Sequence, residues 1–329
     1  MNRPASPVLP APPAPPAPPA LSLQGVAKSF GATKAVIDVS FEVRAGEMFG
    51  VIGPDGAGKT STLRMICGLL SRSAGEIRLF GADPFTVRQV ATSSIGYLSQ
   101  RFSLYGDLTI DENIAFFARA HNVHDFAARR TRLLTLTGLE PFRARLADKL
   151  SGGMKQKLAL ACTLVHQPKM LVLDEPTTGV DPVSRREFWK LIAEFLSDGL
   201  TIILATPYLD EAERCGRVVL LNEGRVLALD TPSALQHAGQ GLVLEVVVTP
   251  PRAALAALRP VLGNDAVQLF GDRLHAHVAR AEDEAGIRRV LAHAGCAVAH
   301  VRRILPSLED VFIERLAVSR RDQETGAVA

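Results

Sequence analysis

The sequence predicts an α/β protein in two unequal parts, a larger unit on parallel strands followed by a smaller two-layer α+β unit. Three observations carry that prediction. Runs such as Leu171-Val172-Leu173 and Ile202-Ile203-Leu204 are apolar at every position, which marks parallel strands covered on both faces. A glycine-rich loop from Gly53 to Thr60 stands between an apolar run and a helical pattern. After about Gly239 short strands and helices continue, with no second glycine-rich loop and no catalytic cluster.

Composition narrows the function classes. Of the 329 residues, 47% are apolar and 22% charged, a globular balance that excludes wholesale disorder. Basic residues number 37 against 34 acidic, a net charge of +3, so no basic stripe points to nucleic acid as a partner. No run of about 18 to 20 apolar residues predicts a membrane span. The proline-rich start is incompatible with a helical signal peptide and reads as a polyproline-like or disordered leader. Cys67, Cys162, Cys215 and Cys296 stand far apart and read as free thiols of a reducing compartment.

The elements follow in order. Leu21 to Glu47 alternates apolar and polar residues in short runs and reads as antiparallel strands. Met48 to Ile52 is a buried strand, and Leu63, Ile66 and Leu70 give helical spacing over Thr60 to Leu70. Glu76 to Asp83 adds a strand and turn. From about Arg101 to Leu150 the pattern is helical and irregular. A helix opening at Ser151-Gly152-Gly153, the strand Met170 to Asp174, a helix from Pro182 to Leu196, the strand Thr201 to Thr206 and a hairpin complete the larger unit. The smaller unit reads strand, helix, hairpin, helix, strand, with a polar, frayed tail after Arg320. His121 with His124, and His275 with His277, read as exposed surface histidines. Arg129, Arg130 and Arg132 read as a solvated helix face.

Three motifs carry chemistry. Gly53-Pro54-Asp55-Gly56-Ala57-Gly58-Lys59-Thr60 has the spacing of a phosphate-binding P-loop, and the predicted strand before it and helix after it are the context that motif requires. Backbone N–H groups and the helix dipole converge on phosphate, Lys59 reaches the terminal phosphates, and the Thr60 hydroxyl is placed for Mg²⁺. The strand Leu171 to Asp174 ends in two carboxylates, which sets Asp174 beside a metal and Glu175 where it takes a proton from an attacking water. Ser151 caps a helix whose Gly152 and Gly153 leave its N-terminus bare, a second anion-binding surface. One nucleotide seldom needs two such termini, so this one is expected to serve a nucleotide held by another subunit.

Order and wording of these motifs resemble the ATP-binding subunits of ABC transporters over roughly Leu21 to Asp230. Leu150-Ser151-Gly152-Gly153-Met154-Lys155-Gln156 matches the family signature, and the subfamily resembled energises type-2 exporters of drugs, polysaccharides or similar cargo. Ile304 to Leu316 resembles the accessory C-terminal domain of that subfamily. The resemblance implies a P-loop NTPase core with an antiparallel β subdomain and a helical signature subdomain. Expected bounds are a leader at 1–20, the ATP-binding domain at 21–238 with its helical part at about 101–165, the accessory domain at 239–318 and a disordered tail at 319–329.

The family pattern further implies that Gly53, Asp55, Gly56, Ala57, Gly58, Lys59, Thr60 and Ser61 hold ATP. Ser151, Gly152, Gly153 and Gln156 would contact nucleotide from the signature side. Phe30 would stack on adenine, unless it is a plain core or turn aromatic. Gln100 would sense the γ-phosphate and Mg²⁺, and Asp181 would lie at a dimer seam, although Asp before Pro182 is equally a helix N-cap. Mg²⁺ would be held by Thr60, Gln100 and Asp174. The expected partners are a homodimer or heterodimer of ATPase subunits and a separate membrane permease, at the cytoplasmic face of the cell membrane. Soluble superfamily members that act on DNA or ribosomes are disfavoured, since Thr60 and Ser151 are too close for an inserted coiled coil and only one P-loop is found.

One departure stands out. Pro207 occupies the position where the family usually has a histidine that contacts the γ-phosphate. Proline has no donor, and losing a charge-assisted hydrogen bond of about 1.5–3 kcal/mol would slow hydrolysis on the order of tenfold to a hundredfold. The alternative this raises is a nucleotide-gated dimerising scaffold with little turnover. The intact set Lys59, Asp174, Glu175 and signature favours an active ATPase.

Overall fold

The computed structural model describes residues 18–100, 103–238, 242–263, 266–278, 280 and 283–326. The leader falls almost wholly outside the described residues. Strands β1 (Leu21–Phe30) and β2 (Thr33–Val43) form an antiparallel pair, and β3 (Met48–Ile52) is buried at all five positions. Helix α1 (Lys59–Ile66) follows, and β4 (Ala74–Leu79) returns to pair with β1. Helix α1 stops earlier than its apolar spacing predicts. Gly68 takes a left-handed φ of 67° while the Leu69 N–H donates to the Arg64 carbonyl, a Schellman-type ending that leaves Leu69 exposed.

Helix α2 (Arg88–Ser94) and strand β5 (Ile95–Leu98) come next, and neither had a sequence signal of its own. Four strand residues are too few to show a period. Helices α3 (Ile110–Ala120) and α4 (Ala127–Thr137) lie in the irregular helical stretch, and α5 (Gly152–Leu164) is the helix that opens after Ser151. A reciprocal Thr109–Glu112 cap starts α3, and Gly138 in left-handed conformation ends α4. The rest of the larger unit is β6 (Met170–Asp174), α6 (Pro182–Ser197), β7 (Thr201–Thr206), α7 (Leu209–Ala212), the hairpin β8 (Arg217–Asn222) and β9 (Arg225–Asp230), and α8 (Pro232–His237).

Nine strands form one sheet in the order β4-β1-β2-β9-β8-β3-β7-β6-β5. From β8 to β5 neighbouring strands run parallel. Every residue of β3, β6 and β7 is buried, as their unbroken apolar runs require. Ile52 lies opposite Thr206, and Asp174 opposite Ala205, so three carboxyl ends open on one edge. Crevices beyond such ends are where α/β sheets bind ligands.

The smaller unit consists of β10 (Leu242–Thr249), α9 (Pro251–Leu262), β11 (Val267–Phe270), β12 (Arg273–Val278), α10 (Asp283–His293) and β13 (Ala297–Ile304). Its strands form an antiparallel sheet in the order β11-β12-β10-β13. Leu244, Val246 and Val248 pack against Ala254, Leu258, Ile287 and Leu291 of the two helices. The other face is polar, with Glu245 paired to Arg273 at 3.1 Å and to Arg302 at 2.6 Å.

Helix α11 (Leu308–Gly326) changes three expectations. It continues past Arg320, because Arg, Gln and Glu sustain a helix well. Its Leu308 and Val311 join the larger unit's core beside Leu235. Its Asp310 is fully buried against the polar sheet face, 3.2 Å from His275 Nδ1 and 3.4 Å from His277 Nε2. Those histidines alternate along β12 on one face and are half-buried, not free surface residues. His121 likewise stacks on His166 with centroids 3.8 Å apart, and burial followed by the His121 neighbour pushes the His166 imidazole down to about 4. Nor is the α4 arginine cluster simply solvated. Arg129 donates to the Val165 carbonyl, and Arg132 pairs with Asp198 at 2.6 Å. All four cysteines are buried and free.

Candidate functional site

The loop joining β3 to α1 is shaped by residues that cannot carry a side chain. Gly58 has φ 97°, and a Cβ there would lie 2.6 Å from the Ala35 carbonyl oxygen. A Cβ on Gly53 would run into the Leu221 carbonyl oxygen, whereas Gly56, at φ 80°, has open space around it. Gly58 caps α1 with no side-chain acceptor, so the first N–H groups of that helix face the loop. Ala57 is buried within it, Asp55 is exposed, and Ser61 is half-buried on α1.

Lys59 is 4% exposed and folds back into the loop. Its Nζ donates to the carbonyls of Gly53 at 2.9 Å and Pro54 at 3.0 Å, and lies 3.3 Å from Glu175 Oε1. Thr60 Oγ1 donates to Asp174 Oδ1 at 3.0 Å. Asp174 ends β6 and is 2% exposed, so its carboxylate must find partners inside the protein. Glu175 begins the next segment at a left-handed φ of 51°, which swings its side chain towards Lys59. Gln100 Nε2 donates to Glu175 Oε2 at 3.0 Å. Lys59, Thr60, Gln100, Asp174 and Glu175, spread over 117 sequence positions in prospect, are thus one polar cluster at the strand ends.

The other expected residues are placed as follows. Phe30 is 50% exposed at the end of β1, with the Lys28 ammonium 5.0 Å from its ring centroid, so it is an exposed ring and not a core aromatic. Ser151 caps α5, its hydroxyl accepting from the Met154 N–H at 3.3 Å, and Gly152 beside it is exposed with nothing near its Cβ position. Gly153 is buried because α6 passes close by, and a Cβ would meet Ser184. Gln156 follows Gly153 by one helical turn on the buried side of α5 and donates to the Pro176 carbonyl at 2.6 Å. Asp181 is exposed and caps α6, accepting from the N–H groups of Val183 and Ser184 at 3.0 Å each. Those bonds, the Ser184 backbone one foremost, hold its carboxyl below the usual range.

Sequence reading missed Tyr97 and a network built on Arg185 and Glu211. Tyr97 OH donates to Asp174 Oδ2 at 2.9 Å. Glu211 is fully buried on α7, takes the Thr177 hydroxyl and pairs with Arg185 at 2.8 Å. Arg185 also reaches Asp210 at 2.9 Å and lies 5.2 Å from the Tyr208 ring centroid. This group ties the segment after β6 to the segment after β7, where Pro207 is half-buried. Only the acidic Asp210-Glu211 pair hinted at it.

Oxygen donors gathered around Asp174 and Thr60 suit a small hard cation such as Mg²⁺. Among the described residues no group of three or more His, Cys, Asp or Glu side chains could hold a metal ion. No helix among them is long and apolar enough to cross a membrane.

Comparison with known proteins bears on this geometry. The family described as "ABC transporter" matches residues 36–178. The chain is 41% identical over 305 residues to the "Probable multidrug ABC transporter ATP-binding protein YbhF" of Escherichia coli (strain K12), covering 90% of this chain and 52% of that protein. It therefore spans about half the length of that relative. It is 37% identical over 299 residues to the "Nod factor export ATP-binding protein I" of Rhizobium sp. (strain N33), covering 89% of this chain and 96% of that one. Among solved structures, an ATP binding subunit of an ABC transporter superposes with a TM-score of 0.61 at 30% identity, over 66% of this chain and 92% of that one.

Proposed function

Since the chain belongs to the ABC transporter family of ATP-binding proteins, we propose that it is an ATPase that clamps Mg-ATP between two such subunits and powers a separate membrane permease. The observation that carries this reading is the convergence of Lys59, Thr60, Gln100, Asp174 and Glu175 behind the glycine loop. Lys59 already sits on an anion and two carbonyls, and a triphosphate offers its ammonium a stronger anionic partner. The N–H groups of the loop and of α1 hold the phosphates. Thr60 and Asp174, with Gln100, would hold Mg²⁺, which would neutralise phosphate charge when bound. Glu175 orients the attacking water and takes its proton, with Gln100 steadying its carboxylate.

The second anion surface, Ser151-Gly152, makes no hydrogen bond to this cluster among the described residues. It is free to serve the nucleotide of a mate, with Asp181 near the seam and Phe30 against adenine. Each nucleotide would then add charge-assisted contacts across the pair, and hydrolysis would remove them, so closed and open dimers alternate. The relatives named for multidrug transport and Nod factor export favour export, with the subunit at the cytoplasmic membrane face. On this reading the units are the ATP-binding domain at 21–238 and an accessory domain from 239.

The test is Glu175→Gln in the full chain. Nucleotide still binds, turnover falls by about 10²–10⁴-fold, and Mg-ATP shifts the protein to a dimer in size-exclusion chromatography. Lys59→Ala abolishes the shift. A Glu175→Gln protein that keeps its turnover, or binds Mg-ATP tightly as a monomer with and without permease, overturns the proposal.

A further inference from the structure

We propose that Tyr97 is a positioning residue that sets the orientation in which Asp174 meets the metal ion. The inference rests on the reading of Thr60 and Asp174 as holders of Mg²⁺. It goes beyond that reading by assigning a residue outside the loop, the carboxylate strand and the signature.

Asp174 is 2% exposed, and each oxygen has one hydroxyl donor, Thr60 on Oδ1 at 3.0 Å and Tyr97 on Oδ2 at 2.9 Å. The two donors are not equivalent. The Thr60 oxygen is itself proposed to meet the cation, so its torsion answers to the metal as well as to Asp174. The Tyr97 bond faces the far oxygen and persists whichever way Thr60 turns. It is therefore the contact that fixes the carboxylate plane.

The fold makes that contact rigid. Tyr97 lies on β5, opposite Val172 in the parallel β5–β6 pair, with buried Gly96 and Leu98 on either side. Asp174 lies two residues beyond Val172 on the same face of β6, and the Tyr97 hydroxyl reaches it with only two side-chain torsions to fix. Groups that orient a metal-bound carboxylate in this way typically change metal affinity by about 10–100-fold when removed. If the ring merely filled space, phenylalanine would serve as well.

Tyr97→Phe in the full-length protein separates these roles. Affinity for a fluorescent ATP analogue is measured in EDTA and then across a MgCl₂ titration, with unliganded melting temperature recorded in parallel. Expected is unchanged affinity in EDTA and a half-saturating Mg²⁺ concentration raised about 10–100-fold. A lowered melting temperature with an unmoved Mg²⁺ midpoint would show a structural role and overturn the inference alone. A wild-type protein whose nucleotide affinity ignores Mg²⁺ would overturn the metal reading and this inference with it. As a second variant Tyr97→Leu, which keeps an apolar side chain without the hydroxyl, must move the midpoint in the same direction.

Discussion

Arg185→Ala tests how the segments beyond β6 and β7 are held together. Glu211 is fully buried, and its Oε1 takes both the Arg185 ion pair at 2.8 Å and the Thr177 hydroxyl, while Oε2 has no partner among the described residues. Removing Arg185 leaves a buried carboxylate with a single neutral donor. Breaking a buried pair from one side costs about 3–5 kcal/mol. The Arg185 side chain is 28% exposed, so water screens part of the interaction and the lower end, about 3 kcal/mol, is expected. At about 2–4 °C per kcal/mol for a chain of this size, the melting temperature falls by roughly 6–12 °C. Urea unfolding of wild type, Arg185→Ala, Glu211→Gln and the double variant measures the coupling. With Glu211 neutralised, the arginine should be worth less than about 1 kcal/mol. The reasoning fails if Arg185→Ala costs the same in both backgrounds. The consequence reaches the proposed chemistry, because Thr177 lies two residues past Glu175 and a loosened network lets that proposed general base drift.

Two further outcomes are expected. Pro207→His restores a side-chain donor beyond β7 and should raise kcat on the order of tenfold; steady-state kinetics showing no gain would mean another group already fills that role. Burial pushes the Asp310 carboxyl up, but hydrogen bonds from His275, His277 and Ser307 outweigh it and hold the group well below its ordinary value of 3.8. Its folded pKa is depressed, so its contribution to stability is present above pH 3.8 and is lost as pH falls below that value towards the folded pKa. Urea midpoints taken through that acid window should decline more steeply for wild type than for Asp310→Asn, and parallel slopes would refute the assignment.

What the sequence made legible follows from contiguity. The loop glycines, Lys59 and Thr60 adjoin one another, and β3, β6 and β7 announce themselves because every residue in them is apolar. Partnerships set by tertiary adjacency left no such trace. Tyr97 meets Asp174 only because β5 lies beside β6, and that strand is four residues long. Asp310 reaches His275 and His277 only after α11 folds back over β12. The inward setting of Gln156 left no trace for a different reason. A linear signature suggests a row of ligand contacts, whereas helical spacing sends Gly153 and Gln156 inward and leaves Ser151 and Gly152 outside. The early end of α1 was readable in principle from Gly68, whose conformation the apolar spacing overrode.

The first turn of α11 answers to two neighbours at once. Asp310 is locked to the histidine strand of the small sheet, while Leu308 and Val311, two residues before it and one after, are embedded beside Leu235 in the large core. A turn gripped from both sides behaves as a rivet. Any tilt of the four-stranded sheet must drag α8 and β9 along or tear a buried carboxylate from its donors, so load on one sheet is felt by the other with little slack.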